Sequence, residues 1–542
     1  MPTHAGRAAT SAVAVSPAAA GGAALPAVTY SYDPATGLPT TVTAGGSTLT
    51  TSYDTLGRVS SYTDATGAVA TSSYDLDGQL ISRTDSAGTT TWTYDSSSEH
   101  RGLVTGEDLH AAAGQPSVFT AVYDAAGTMS QSYPNGLTAT TSVDNAGNPL
   151  ALTYAKGGVT WTSFTATVGV GGRTVGQSSP QSGQVFAFDG AGRLTTVADT
   201  YSSACSTRVY GFDTDSNRTS LASYPAGTGG VCSTGTTPVT VSGSFDGADR
   251  ITSTGYSYDT LGRTTTVPAV DASGIGSHAG TTGAVTVGYY ANDMAASQTQ
   301  GGESVSFTLD PAQNRIASQS DNGTVTVNHY DDGTDSPAYT SSTAGMVRNV
   351  PGIDGTLAAT IDPAGTVTLQ LANLHGDLVA TAPDDPAATG IASYSESTEY
   401  GTPRVAAAAP DSYGWLGAHQ RSTNDLAGLT LMGVRLYNPT TGRFLTTDPI
   451  PGGNDNAYTY PTDPINKLDP TGKWCLLGHN PNGSCRGSGV WNKIWNWVKN
   501  RWHTIQHYGL RCFVGGAAGA TRGGGWYGAA VWCVSSVAAS EV

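Results

Sequence analysis

Apolar and polar positions alternate in short runs along the first 330 residues, and the alternation is punctuated at a fixed interval. Tyr32-Asp33, Tyr53-Asp54, Tyr74-Asp75 and Tyr94-Asp95 fall 21, 21 and 20 residues apart. A repeat of this length marks a stacked-unit architecture. Within one unit, Asp54 to Gly57 and Asp64 to Gly67 each read as an Asp-x-x-Gly turn, and Asp75 to Gly78 and Asp85 to Gly88 do the same in the next. Asp opens such a turn by accepting backbone N–H groups ahead of it, and Gly closes it by tolerating positive φ. Runs of about six residues rich in Thr, Ser, Val, Tyr and Leu separate the turns, which is strand length and strand composition. One period therefore predicts two short strands and two turns. Residues 28–330 carry no sustained helical periodicity, so the expected class is all-β.

The unit recurs in looser form at Tyr123-Asp124, Val143-Asp144, Phe188-Asp189, Phe212-Asp213, Phe245-Asp246, Tyr258-Asp259 and Leu309-Asp310. Another aromatic or an aliphatic residue usually replaces a lost Tyr, as a packing position requires. A core seam is the expected role of this column, in preference to a ladder of ligand-binding rings.

These units resemble the YD repeats of the RHS family over most of residues 28–472. A second block strengthens the resemblance. It contains Tyr400-Gly401-Thr402-Pro403-Arg404, Gly414-Trp415-Leu416-Gly417 and Asp425-Leu426-Ala427-Gly428. It continues through Arg435-Leu436-Tyr437-Asn438-Pro439, Gly442-Arg443-Phe444-Leu445 and Asp448-Pro449 to Asp463-Pro464 and Asp469-Pro470-Thr471-Gly472. This block is similar to the RHS repeat-associated core domain of polymorphic toxins. The resemblance implies four segments: an unstructured start at 1–27, a YD-repeat β-sheet shell at 28–370, a core plug at 371–472 and a variable C-terminal effector at 473–542. It further implies a hollow spiral shell that encapsulates the effector and releases it by self-cleavage.

Asp448 and Asp469 match the family's autoproteolytic aspartates, and Arg443 matches a family arginine expected to hold one of them. Two carboxyls sharing a site cannot both ionise freely, so one can activate water while the other polarises a carbonyl. The expected cut lies at Gly472, Lys473 and Trp474. The family usually has Leu after this Asp-Pro-x-Gly, whereas this chain has Lys473. Asp-Pro-x-Gly is also an ordinary turn signal, and Asp362-Pro363-Ala364-Gly365 repeats it. Read alone, Asp469 to Gly472 is a turn; the surrounding match gives it a chemical role.

Charge divides the chain. Residues before 474 hold 19 Lys/Arg and 40 Asp/Glu, a net of −21, whereas the remainder holds 6 Lys/Arg and one acid, Glu541, a net of +5. An acidic container could retain a basic cargo. Six cysteines fit an exported protein: Cys205 and Cys232 could pair within the repeats, and Cys475, Cys485, Cys512 and Cys533 allow three pairings in the tail. The spacing of Cys475, His479 and Cys485 matches no common zinc motif, and neither a metal nor a cofactor is expected. Residues 1–26 show no signal-peptide pattern, so the expected location is secreted or cell-surface without a recognisable signal. The chain is short for a closed RHS shell, which implies a further shell or export component.

The tail holds seven of the ten Trp residues. Trp491, Ile494, Trp495, Val498, Trp502 and Ile505 recur at helical spacing, with Lys and Arg off the stripe, as in an interfacial membrane helix or the core helix of a small toxin. Gly515, Gly519 and Gly523 are spaced for close helix packing in lipid. The tail lacks Asp, so it cannot build a carboxylate metal site for phosphodiester cleavage; a metal-free nuclease using His503 and His507 is the rival. The expected partners are therefore the encapsulated effector, an immunity protein and a target membrane, with nucleic acid disfavoured. The alternative function is a cell-surface or carbohydrate-binding YD-repeat structural protein.

Overall fold

At Tyr53, Tyr74 and Tyr94 the Tyr-Asp step ends a strand, offsets its register and starts a turn. In the computed structural model, which describes residues 10–11, 22–110, 117–410, 412–450 and 454–473, the pairing of Ser47–Tyr53 with Val59–Thr63 shifts register between Ser52 and Tyr53. The same shift recurs at Tyr74 and Tyr94. The Asp54 turn is closed by Gly57 N–H on the Asp54 carbonyl (3.0 Å), with Gly57 at φ +79°. Asp54 Oδ1 accepts the N–H groups of Leu56 (2.9 Å) and Arg58 (3.0 Å). The predicted two strands and two turns per period are what form.

The repeat column does more than pack. Tyr53 donates its hydroxyl to the Pro39 carbonyl, Tyr74 to Val59 and Tyr94 to Leu80, each at 2.8 Å. Each ring therefore ties the end of one hairpin back to the strand before it. The arginine after the turn glycine ties it forward. Arg58 Nε donates to Asp54 Oδ2 (2.6 Å), its Nη1 reaches the Asp75 carbonyl (3.2 Å), and its guanidinium lies 4.5 Å from the Tyr74 ring centre. Arg193 does the same with Asp189, the Asp213 carbonyl and Phe212, and Arg315 with Asp310, the Asp332 carbonyl and Tyr330. Such charge-assisted contacts over an aromatic face hold neighbouring units in register.

Within each sheet every strand pairs antiparallel with the next in sequence, giving a 20-stranded sheet that ends at Val239–Ser242 and a 13-stranded sheet running from Ser257–Tyr258 to Ser393–Tyr394. The two sheets face each other. Val367, Leu369 and Leu371, at alternate positions of one strand, pack with Phe119, Tyr133, Tyr154 and Phe164 of the first sheet. Cys205 and Cys232 form a disulfide that fastens the insertion before the last strand of the first sheet. The tail cysteines, the tryptophan stripe with Trp491, Trp495 and Trp502, the Gly515, Gly519 and Gly523 series, and His503 and His507 lie outside the described residues.

Residues 397–473 wedge against both sheets. Leu426, Leu429, Leu436 and Leu445 pack on the second sheet, and Tyr400 packs on Phe186 and Tyr210 of the first. Their own small sheet has strands Thr430–Met432, Arg435–Asn438 and Arg443–Phe444.

Candidate functional site

The small sheet builds the site. Its middle strand begins at Arg435, just past the tight Met432–Arg435 turn, where Gly433 has φ +54°. A Cβ on Gly433 would stand 2.3 Å from the Thr471 carbonyl oxygen, so only glycine lets the 469–473 segment lie against this turn. Val434 N–H donates to that carbonyl (3.2 Å) and pins the segment in place.

Asp448 and Asp469, 21 residues apart in sequence, converge on a single nitrogen. Arg435 Nη2 donates to Asp448 Oδ2 at 3.0 Å and to Asp469 Oδ2 at 2.9 Å. The three side chains are 1%, 4% and 0% exposed for Arg435, Asp448 and Asp469, so the cluster is removed from water. The Arg435 guanidinium stacks 3.6 Å above Phe444, and Trp415, Tyr437, Phe444 and Tyr460 form the aromatic floor. Burial pulls the Arg435 pKa down, and the two carboxylates oppose that pull without cancelling it. A charge buried this deeply persists because it is paired.

The expected cut joins the same cluster. Lys473 N–H donates to Asp469 Oδ1 at 3.0 Å, and Thr471 Oγ1 lies 3.4 Å from the Lys473 carbonyl oxygen. Gly472, at φ +64°, closes the Asp469 turn. Asp448 is held from its own side by Ile450 N–H on Oδ1 (2.8 Å) and by its N–H on the Ala457 carbonyl (2.7 Å). Trp474 lies outside the described residues.

Arg443 stands elsewhere. It donates to Asn217 Oδ1 (2.7 Å) and to the Asp249 carbonyl, between the rings of Phe245 and Tyr458, where burial pushes its pKa down to about 10. The hairpin register explains the exchange. Asn438 pairs with Arg443, which sets Arg443 three residues along the strand from Arg435 and aims it at the first sheet. The expectation that Arg443 clamps a catalytic carboxylate is thus corrected: it ties the small sheet to Asn217 and Asp249, and Arg435 bridges the pair. Sequence reading passed over Arg435 although it stands in the same block. The signal was its place directly after the Gly433-Val434 step, at the mouth of a strand whose next two residues, Leu436 and Tyr437, are apolar and aromatic.

Two cavities lie near residues 469–473 and the Gly433 turn. One of about 450 Å³ is lined by Pro470, Thr471, Asp335 and Arg421, and one of about 720 Å³ by Asp335, Tyr413, Arg421 and Gly433. Among the described residues no group of three His, Cys, Asp or Glu side chains is set to hold a metal ion.

A family model described as Teneurin YD-shell matches residues 26–221. Among solved structures, that of the Photorhabdus luminescens Tc holotoxin pore carrying an aspartate-to-alanine mutation in TccC3 is 14% identical. The match covers 86% of this chain and 24% of that one, with a TM-score of 0.56. The crystal structure of TcdB2-TccC3 is also 14% identical over 82% of this chain and 26% of that one, with a TM-score of 0.54. The chain thus spans about a quarter of the length of the structures it matches. Among curated proteins none matches. At such identity the structural likeness speaks for the fold, and it agrees with the family model over the first sheet and with the repeat geometry over both. Residues 26–221 thus match a YD-shell, and the fold and repeat geometry of both sheets are those of an RHS/YD-repeat protein.

Proposed function

We propose that this YD-repeat shell is of the toxin-delivery type: residues 28–370 form its wall, 371–472 its plug, and the plug severs the effector 473–542 near Lys473. The observation that carries the proteolytic reading is the meeting of Asp448 and Asp469 on Arg435, with the Lys473 amide on Asp469. One guanidinium faces two carboxyl groups away from water, so retention of a single proton brings the cluster to neutrality. That is the protonation hydrolysis requires. The ionised carboxylate takes a proton from water as the water oxygen attacks the carbonyl carbon beside Lys473. The protonated carboxyl meanwhile polarises the carbonyl oxygen. Collapse of the tetrahedral intermediate breaks the C–N bond, and the proton passes to the leaving amine.

Partners follow from the same reading. Because TcdB2 and TccC3 are named together in the matched structure, we assign the remainder of the enclosure to a second protein. An immunity protein and a target-cell membrane complete the set, and the location is secreted or cell-surface. The basic, Trp-rich tail points to membrane perturbation.

One experiment tests the chain of reasoning. Purified full-length protein should yield, by intact mass, a fragment beginning near Lys473. Asp448→Asn and Asp469→Asn should each slow its release at least about 100-fold. An unprocessed wild-type chain overturns the proteolytic reading. The released fragment should leak dye-loaded vesicles; RNA degradation lost in His503→Ala, without leakage, would assign a nuclease instead.

A further inference from the structure

Lys473 stands where the family has an apolar residue, and the shell wall supplies a reason. The loop 331–335 reads Asp331-Asp332-Gly333-Thr334-Asp335 and connects two strands of the second sheet, far from the plug in sequence. Its aspartates line the cavity of about 450 Å³ into which Pro470 and Thr471 are set. Three arginines of that cavity, Arg83, Arg348 and Arg421, face four aspartates, Asp85, Asp331, Asp332 and Asp335. The lining is therefore one positive charge short. Asp331 is engaged by Arg83 (2.8 Å), and Asp335 holds Arg421 through two bonds of 2.8 and 3.1 Å. The backbone leaves little freedom in where the next side chain goes: Val434 fixes Thr471, Gly472 closes the turn, and Asp469 fixes the Lys473 amide.

We propose that Asp335 is a specificity-determining residue of the self-cleavage site, forming with its cavity an acidic subsite that receives the Lys473 side chain. The inference rests on the proteolytic reading above. The ammonium group supplies the missing charge, and the wall of the shell, rather than the plug, selects the residue at the cut. Electrostatics agree with the placement: burial pulls the Lys473 pKa down, and the carboxylates of Asp335 and Asp448 oppose that pull without cancelling it. Leucine at this position would fill the space and leave the lining one positive charge short, with Asp335 keeping only its pair with Arg421. The subsite thus accounts for a basic residue in this chain.

The test compares backgrounds, because neutralising Asp335 also loosens Arg421. Processing of the full-length chain is followed by intact mass in wild type, Asp335→Asn, Lys473→Leu and the double variant. Asp335→Asn should slow release roughly fivefold or more with Lys473 present, and the ratio should shrink toward unity in the Lys473→Leu background. Lys473→Glu, which leaves the Asp335–Arg421 pair untouched, should slow release further than Lys473→Leu. An equal effect of Asp335→Asn in both backgrounds, or equal rates for Lys473→Glu and Lys473→Leu, overturns the subsite. Should the wild type stay intact, the proteolytic reading fails alone. The pairing is then read in the intact chain by acetic anhydride labelling. Lys473 slower than the exposed Lys467, and accelerated by Asp335→Asn, upholds the subsite; no acceleration overturns it.

Discussion

The chain writes the same four-residue phrase twice and uses it for two purposes. Asp362-Pro363-Ala364-Gly365 is a repeat turn at the sheet edge. Its Asp side chain is exposed, Oδ1 accepts Ala364 N–H (2.9 Å) and Thr366 N–H (2.8 Å), and Gly365 N–H returns to the Asp362 carbonyl (2.9 Å). Asp469-Pro470-Thr471-Gly472 closes with the same N–H return, at 3.4 Å, but is buried. Its carboxylate turns to Arg435 and to the amide of Lys473. Local sequence sets the turn in both; the surroundings decide whether the carboxylate caps a loop or joins a buried charged cluster.

The sharpest way to break the comparison is to remove the group that makes the second turn different. Arg435→Met takes the cation from between Asp448 and Asp469 and leaves two buried carboxyl groups without it. Breaking a buried pair in this way costs about 3–5 kcal/mol. Urea unfolding of the full chain should show that loss, and processing should stop. Asp362→Asn, in the exposed turn, should leave both within experimental error. A small stability change for Arg435→Met would mean that the two carboxyl groups are well served by other donors and that the bridge is incidental.

A second contrast lies in the closing glycines. Both have positive φ, +85° at Gly365 and +64° at Gly472. Alanine at Gly365 meets no atom within 4 Å, so its cost is the left-handed backbone alone, about 1 kcal/mol. At Gly472 the added Cβ would stand 2.6 Å from the Met432 carbonyl oxygen and 3.1 Å from Arg435 N, both backbone. Gly472→Ala must therefore move residues 469–473 off the small sheet. It should cost roughly 2 kcal/mol or more by the same unfolding measurement and slow processing strongly. Equal costs at the two positions would show that the segment is not held against Gly433 and Met432.

These contrasts mark how far sequence carries. The turn positions and strand lengths were readable because Asp-x-x-Gly chemistry is local, and residues 53–94 fold as their pattern requires. The hydroxyl bonds of Tyr53 and Tyr74 and the forward reach of Arg58 and Arg193 were not readable. They depend on how one hairpin lies on the next, which the repeat implies only once its register shift is known. The Asp448 and Asp469 positions could be named through the core block, whereas the arginine between them depends on the register of Tyr437 with Phe444 and of Asn438 with Arg443. Buried acids such as Glu107 and Asp425, each pushed up to about 8 by desolvation, leave no trace in sequence because burial is a property of the assembled sheets.

The smallest effect concerns pH, and it separates the two turns by sign. His375 is buried beneath Trp415; its Nδ1 lies 2.8 Å from Asp377 Oδ1 and its Nε2 2.8 Å from the Pro464 carbonyl, five residues before Asp469. Both partners are acceptors, so the doubly protonated ring satisfies both. Burial alone would lower the His375 pKa, but the Asp377 carboxylate and the Pro464 carbonyl outweigh it and hold it above the ordinary 6.5. A raised histidine contributes stability that is complete below about pH 6.5 and lost as pH climbs through its folded-state value. Neutral His375 must give up one bond, and the one to Pro464 is the tie between the second sheet and the segment that carries Asp469. Asp362 runs the other way: backbone N–H groups lower its pKa, so its contribution is present at neutral pH and fades only in acid. Amide exchange should therefore quicken in residues 460–472 as pH rises above about 6.5, beyond the intrinsic base-catalysed rise, while residues 360–367 show only that intrinsic rise. His375→Gln, which cannot titrate, should remove the excess. An excess that survives in His375→Gln would assign the loosening to another group and leave the Pro464 tie without a role in holding the second turn.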